Sequence, residues 1–184
     1  VIVVSDTTPL RYLIEIGEVD ILPRLFGQVV TTPAVIRELA GAASPTAVSD
    51  WAANPPMWLL VRSPREQLVF DRPLGPGESE AISLAVELAP SRVLIDDRAG
   101  HRIAQQFSLR ALRTLSVLWI ASELQLVDLS GAIARLAKTS YRVDSATLAR
   151  YAQQDPKLAE LLAAEFASIR EDLAKGGGSS PDRA

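Results

Sequence analysis

The sequence predicts an α/β fold: three layers, α/β/α, around a central parallel sheet, with further helices appended at the C-terminal end. Two observations predict it. Short apolar runs (Val1 to Val4, Gln28 to Thr31, Val93 to Ile95) alternate with helical stretches, and uninterrupted apolar strands separated by helices imply a parallel sheet covered on both faces. The first two runs also end in a hydroxyl-bearing turn with Pro, Ser5-Asp6-Thr7-Thr8-Pro9 and Thr31-Thr32-Pro33, a mark of strand passing into helix.

Val1 to Val4 is β-branched and reads as the first strand, with Pro9 expected at the first helical position. Gln28 to Thr31 repeats the pattern, with Thr32 as cap and Pro33 as first helical residue. Trp58 to Val61 is a further strand candidate. Gly75-Pro76-Gly77 breaks the chain before a helix over Glu78 to Leu88. Val93 to Ile95 is an apolar strand running into Asp96-Asp97, followed by a helix over Arg98 to Gln106, a strand near Leu109 to Leu112 and a helix over Thr114 to Leu124. From Ser130 the chain reads as helices, with Asp144 and Asp155-Pro156 as starts.

The chain has 184 residues, 48% of them hydrophobic, and a formal net charge of −3, which fits one domain of about 150 residues plus an extension. The expected division is an α/β domain over 1–128, a helical extension over 129–175 and a disordered Gly-rich tail over 176–184. With no Cys and one His, His101, the composition excludes a disulfide scaffold, thiol chemistry, zinc fingers and catalysis built on two histidines. Any chemistry falls to carboxylates. Twenty-two acidic against nineteen basic residues exclude non-specific coating of nucleic acid, so such contact must be local. No apolar run approaches the roughly 18–20 residues of a membrane span, and no basic segment precedes the first strand. The expectation is a cytoplasmic protein with no membrane contact.

In open α/β sheets the ligand crevice lies beyond the carboxyl ends of the strands, and Asp6, Asp96 and Asp97 each follow an apolar strand. Against this, an Asp after a strand can simply cap the next helix. Glu38 projects onto the flank of the stripe formed by Val35, Ile36 and Leu39. Glu78 and Glu80 lie two residues apart and cannot share a helix face; at about 100° per residue Glu78 projects inward with Ala81 and Ala85, and Glu80 outward beside Glu87. A first-turn Glu78 would also interact favourably with the helix dipole. Several carboxylates in one crevice repel one another unless a cation neutralises them, and an oxygen-only donor set suits Mg²⁺ or Mn²⁺. Such ions lower the pKa of bound water and stabilise the charge that develops during phosphodiester hydrolysis, with no need of His or Cys. Arg98, His101, Arg102, Arg110 and Arg113 follow closely and are candidates to receive phosphates, or else a solvated helix face.

The motifs Val3-Val4-Ser5-Asp6-Thr7-Thr8-Pro9-Leu10, Pro33-Ala34-Val35-Ile36-Arg37-Glu38-Leu39, Gly77-Glu78-Ser79-Glu80-Ala81-Ile82-Ser83-Leu84-Ala85 and Leu94-Ile95-Asp96-Asp97-Arg98 together resemble the PIN-domain ribonucleases. Within these they resemble the DUF3368 branch, prokaryotic proteins regarded as candidate toxins of toxin–antitoxin pairs. The resemblance spans Val1 to Asp128. It implies a Mg²⁺- or Mn²⁺-dependent endoribonuclease with Asp6, Glu38, Glu78 and Asp96 as the acidic quartet, Glu80 and Asp97 in reserve as metal ligands, and Thr8 hydrogen-bonded to Asp6 or its metal-bound water. Arg98 or Arg102 would steady a phosphate, and the products would carry a 5′-phosphate and a 3′-hydroxyl. An antitoxin protein and a homodimer through the C-terminal helices are the implied partners. The family's Gly-Thr pair before the last domain helix reads Arg113-Thr114 here, with Ser116 in place of a second Gly.

Two other readings compete. A haloacid-dehalogenase-type phosphatase also places aspartates after strands. It needs a second acid two positions after the nucleophile, where this chain has Thr8, and a catalytic Lys, for which Lys138, Lys157 and Lys175 are poor candidates. A non-catalytic PIN-like binding module would keep the pocket without turnover.

Overall fold

The computed structural model describes residues 2–89, 92–143, 145–153 and 155–176. The expected helix start at Asp144 and the tail over 177–184 lie outside these residues. Strand β1 (Ile2–Ser5) leads through Asp6 into α1 (Thr7–Glu15), followed by α2 (Ile21–Phe26), β2 (Gln28–Thr31), α3 (Pro33–Leu39), α4 (Thr46–Ala53) and β3 (Leu59–Val61). Then come α5 (Pro76–Leu88), β4 (Arg92–Leu94), α6 (Arg98–Gln106), β5 (Ala111–Leu112), α7 (Thr114–Glu123), α8 (Leu129–Leu136), α9 (Ser145–Ala152) and α10 (Pro156–Gly176).

The strands form one parallel sheet in the order β3-β2-β1-β4-β5. Building begins at β1 and proceeds to one side through β2 and β3, and the chain then crosses back to lay β4 and β5 on the other. The reversal of direction between β1 and β4 opens a crevice at their carboxyl ends. Pairing of Ser5 with Leu94 sets the register; Asp6 follows β1 directly and Asp96 comes two residues after the end of β4, both at the carboxyl end of the sheet.

Alternation of side chains along each strand divides the core in two. Val3, Val29, Leu94 and Leu112 face α1, α2, α4, α7 and α8, whereas Val4, Val30, Val93 and Ile95 face α5 and α6. This is the three-layer α/β/α arrangement. Helix α7 is apolar around most of its circumference, and Thr114 through Ala121 are all buried, because α1, α8 and α10 pack around it. Leu129, Ile133, Tyr151 and Ile169 of the C-terminal helices join the same core cluster as Val3 and Leu10.

Several expectations from the sequence need adjustment. Helix α1 starts at Thr7, which puts Pro9 third in the helix; it is tolerated because the first-turn amides have no intrahelical partner. Gly75-Pro76-Gly77 is itself a helix start, with Pro76 first. Strand β5 begins at Ala111, since Ser108 adopts φ 58° and Leu109 donates its amide to Ala104 O at 3.0 Å, which closes the end of α6 instead of entering the sheet. Helices α2 and α4, six and eight residues long, carry no strong periodic signal and are found only in the structure.

Arg92 is completely buried in β4, and its Nη1 donates to Asp172 Oδ2 of α10 at 3.0 Å. This ion pair anchors the last helix to the sheet. Removing one partner of a buried charged pair exposes the other to its desolvation cost. Asp172→Ala is expected to lower unfolding free energy by about 1–3 kcal/mol, measured by urea denaturation.

Candidate active site

Asp6 occupies the N-cap position of α1, yet its side chain makes no capping hydrogen bond. Asp97, at the equivalent position of α6, behaves differently: its Oδ2 accepts from Ala99 N at 2.6 Å and Gly100 N at 3.0 Å. The capping account therefore describes Asp97 and does not describe Asp6. Asp6 is 1% exposed, and its Oδ1 is buried without a hydrogen-bond partner. Burial raises its pKa to about 7; the amides of Thr7 and Thr8 pull it down, and the Glu78 and Glu38 charges push it further up.

Glu38 and Glu78, on two helices, stand near enough to Asp6 for their charges to act on it. The Glu38 carboxylate accepts from the Thr7 hydroxyl and, at 2.7 Å, from Gly77 N. It thereby ties α3 to the starts of α1 and α5. Glu78 Oε2 accepts from Gly75 N at 3.1 Å. Burial raises the Glu78 pKa, opposed by the Gly75 amide and reinforced by Asp97 and Glu38. A Cβ on Gly77 would lie 2.6 Å from both Glu38 Oε2 and Thr7 Oγ1, so only glycine fits between them.

Asp96 stands on the neighbouring strand end with a different set of partners. Its Oδ1 accepts from Thr114 N at 2.9 Å and from Tyr141 OH at 3.1 Å, and its Oδ2 from Thr114 Oγ1 at 2.6 Å. It thus caps α7 from outside that helix. Burial raises its pKa against these donors and the Arg113 charge, while its charge and hydrogen bond help to push the Tyr141 hydroxyl strongly upward, after burial. Thr114 keeps a hydroxyl and an amide on the acid although Arg113 precedes it.

The remaining predicted residues are placed as follows. Glu80 does not face outward beside Glu87: its Oε2 accepts from Ala34 N at 3.0 Å, and its Oε1 lies 3.5 Å from Arg37. It serves the N-terminus of α3, while Glu87 pairs with Arg62 and Arg65. Arg98 lines a cleft of about 760 Å³ with Thr8, Asp96 and Asp97, whereas Arg102 lines a different hollow with Phe70, Asp71 and Arg72. Thr8 approaches Asp6 through its amide. The hydroxyl that enters a carboxylate bond is that of its neighbour Thr7, which sequence reasoning passed over. Tyr141 was also missed, because it lies in a loop 45 residues beyond Asp96 and no local spacing connects them. Arg110 donates to Ser168 Oγ at 2.8 Å, away from the acids.

A family model for DUF3368, described as a PIN domain, matches residues 2–156. The chain belongs to the PIN-domain family. PIN domains are generally nucleases and generally use divalent metal ions. The match runs past Asp128, through α8 and α9. A PilT N-terminus domain protein from the hyperthermophilic archaeon Sulfolobus solfataricus P2 is similar in structure at 15% identity, covering 78% of this PIN-domain chain and 100% of that one, with a TM-score of 0.41. No functionally curated protein matches the chain.

The donor set fits a hard divalent cation. All the candidate ligands are carboxylate oxygens, and the unpartnered Asp6 Oδ1 beside two further carboxylates requires either a proton or a cation. Among the described residues no three such side chains close around one point. Mg²⁺ sites commonly draw on one or two carboxylates and leave the remaining positions to water and substrate phosphate.

Two predictions follow from this geometry. A carboxyl group whose folded pKa lies above its unfolded value favours the folded state at low pH. Without divalent cation, stability should therefore fall as pH rises from about 4 to about 7. Asp6→Asn should flatten this dependence and unfold at higher urea than wild type at pH 8. Gly77→Ala should displace Glu38 and cost about 1–3 kcal/mol, read by the same denaturation experiment at fixed pH.

Proposed function

We propose that the protein is an endoribonuclease that requires Mg²⁺ or Mn²⁺ and hydrolyses RNA phosphodiesters through Asp6, Glu38, Glu78 and Asp96. The observation that carries this reading is the buried Asp6 carboxylate, with one oxygen unpartnered, facing two further acids at the topological switch point of the sheet. Such an arrangement is costly to folding and is best accounted for by a cation-dependent site. When bound, the cation supplies an acidified water and neutralises charge that develops on the phosphoryl oxygens.

The chain's own residues position these parts. Asp6 keeps one carboxylate oxygen without a partner, and Glu38 is held in place by Thr7 and Gly77. Asp97 stands close enough to act on Glu78 electrostatically, which keeps it as a reserve ligand. Asp96 is oriented by Thr114 and Tyr141. Arg98, which lines the same cleft as Asp96, would meet a phosphate there. Glu80 and Arg102, engaged or directed elsewhere, are left out of this constellation.

The family resemblance supports a cytoplasmic toxin of a toxin–antitoxin pair, with an antitoxin protein as partner and a homodimer as the assembly; among the described residues no helix is long and apolar enough to cross a membrane. The products expected by resemblance are a 5′-phosphate and a 3′-hydroxyl.

Asp6→Asn and Asp96→Asn should each reduce metal-dependent cleavage of a mixed RNA panel by at least about a hundredfold, with unchanged circular dichroism. Mn²⁺ at about 100 times its Kd should stabilise wild type by about 2.7 kcal/mol and Asp6→Asn by far less. Identical cleavage traces for wild type and both variants would sink the nuclease reading and favour a PIN-like binding module.

A further inference from the structure

The cleft beside Asp96 is walled by four arginines from four separate parts of the chain: Arg11 of α1, Arg98 at the start of α6, Arg113 before α7, and Arg142 in the segment between α8 and α9. Arg37, Arg62, Arg92, Arg135 and Arg150 each close on a carboxylate, and the exposed Arg24, Arg72 and Arg102 lie away from this cleft. Arg11 pairs with Glu15. The side chains of Arg98, Arg113 and Arg142 are exposed and make no ion pair or hydrogen bond among the described residues. A chain of net charge −3 thus presents three exposed guanidinium groups in one concave place beside Asp96 and Asp97, with the Arg113 charge acting on Asp96.

The segment carrying Arg142 is fixed in position. Tyr141 OH donates to Asp96, Ser140 Oγ meets Tyr12 OH at 3.1 Å, and the Tyr12 and Tyr141 rings stack edge to face at 4.8 Å. Holding an exposed arginine over a cleft by three separate contacts makes sense if the cleft receives an anion. Several guanidinium groups spread along its walls suit a row of phosphates better than one acid group.

We propose that this cleft is the track for the phosphate backbone of an RNA strand entering or leaving the acidic site, with Arg113 and Arg142 as its anchors. The assignment rests on the nuclease reading for its choice of RNA. It makes residues 140–143, beyond the last strand of the sheet, part of the substrate site.

The test is fluorescence anisotropy of a 5′-labelled single-stranded RNA oligonucleotide in chelator, across a salt series. The proteins are wild type, Arg113→Gln, Arg142→Gln, the double variant, and Arg24→Gln on the exposed side of α2 as control. Cleavage is assayed separately with Mn²⁺. Each anchor lost should lower the slope of log affinity against log salt by about 0.7, so the double variant should lose about 1.4 and bind at least tenfold more weakly, with the control unchanged. A double variant that binds with wild-type affinity and slope overturns the assignment, as does a wild-type protein that binds no RNA. A wild type that binds with the expected salt response yet cleaves nothing supports the cleft and removes the nuclease reading instead.

Discussion

The arrangement depends on one constraint: a carboxyl group at the end of the central strand is kept out of water without being given a full set of partners. Asp6 could have capped α1, as Asp97 caps α6, and a capping carboxylate has a depressed pKa and stabilises its helix. Its position, one residue beyond a strand flanked on both sides, instead leaves Oδ1 enclosed. The other interactions follow from accommodating that group. The Thr7 hydroxyl turns to Glu38, Gly77 leaves room for both, and Glu80 takes over the amide end of α3.

The fold tolerates this cost because the sheet around it is well packed. Val3 and Val4 are completely buried on opposite faces, as are Val93 and Leu94 on the adjacent strand. Strain or desolvation at a strand end can be carried only where the neighbouring backbone has no lower-energy rearrangement. Here the rim is pinned by Asp6 N donating to Leu94 O at 3.0 Å and the Thr31 hydroxyl donating to Ser5 O at 2.8 Å. Function and core therefore meet at the same backbone atoms.

Much of the architecture was legible where sequence and structure agree locally. Thr32-Pro33 marks a helix start with a working side-chain cap, Thr32 accepting from Val35 N, and the limits of α6 follow from Asp97 and the apolar rhythm after it. What was not legible depends on contacts distant in sequence. The turn of Glu80 towards Ala34 is set by the packing of α5 on α3, which a helical projection of α5 alone does not contain. Likewise Thr7 and Thr8 are equivalent as residue types, and only the approach of Glu38 distinguishes them. Tyr141 lies beyond the last motif and reaches Asp96 through the packing of α8.

Both ends of β4 are held by chain made much later. Arg92 at its start waits for Asp172, and Asp96 just past its end waits for Tyr141. On the ribosome, with synthesis running from the N-terminus, the strand can pair with β1 long before either clasp exists. Asp96 thus gains its last hydrogen-bond partner only after α8 has been made, whereas the partners of Glu38 and Glu78 are all in the first half of the chain.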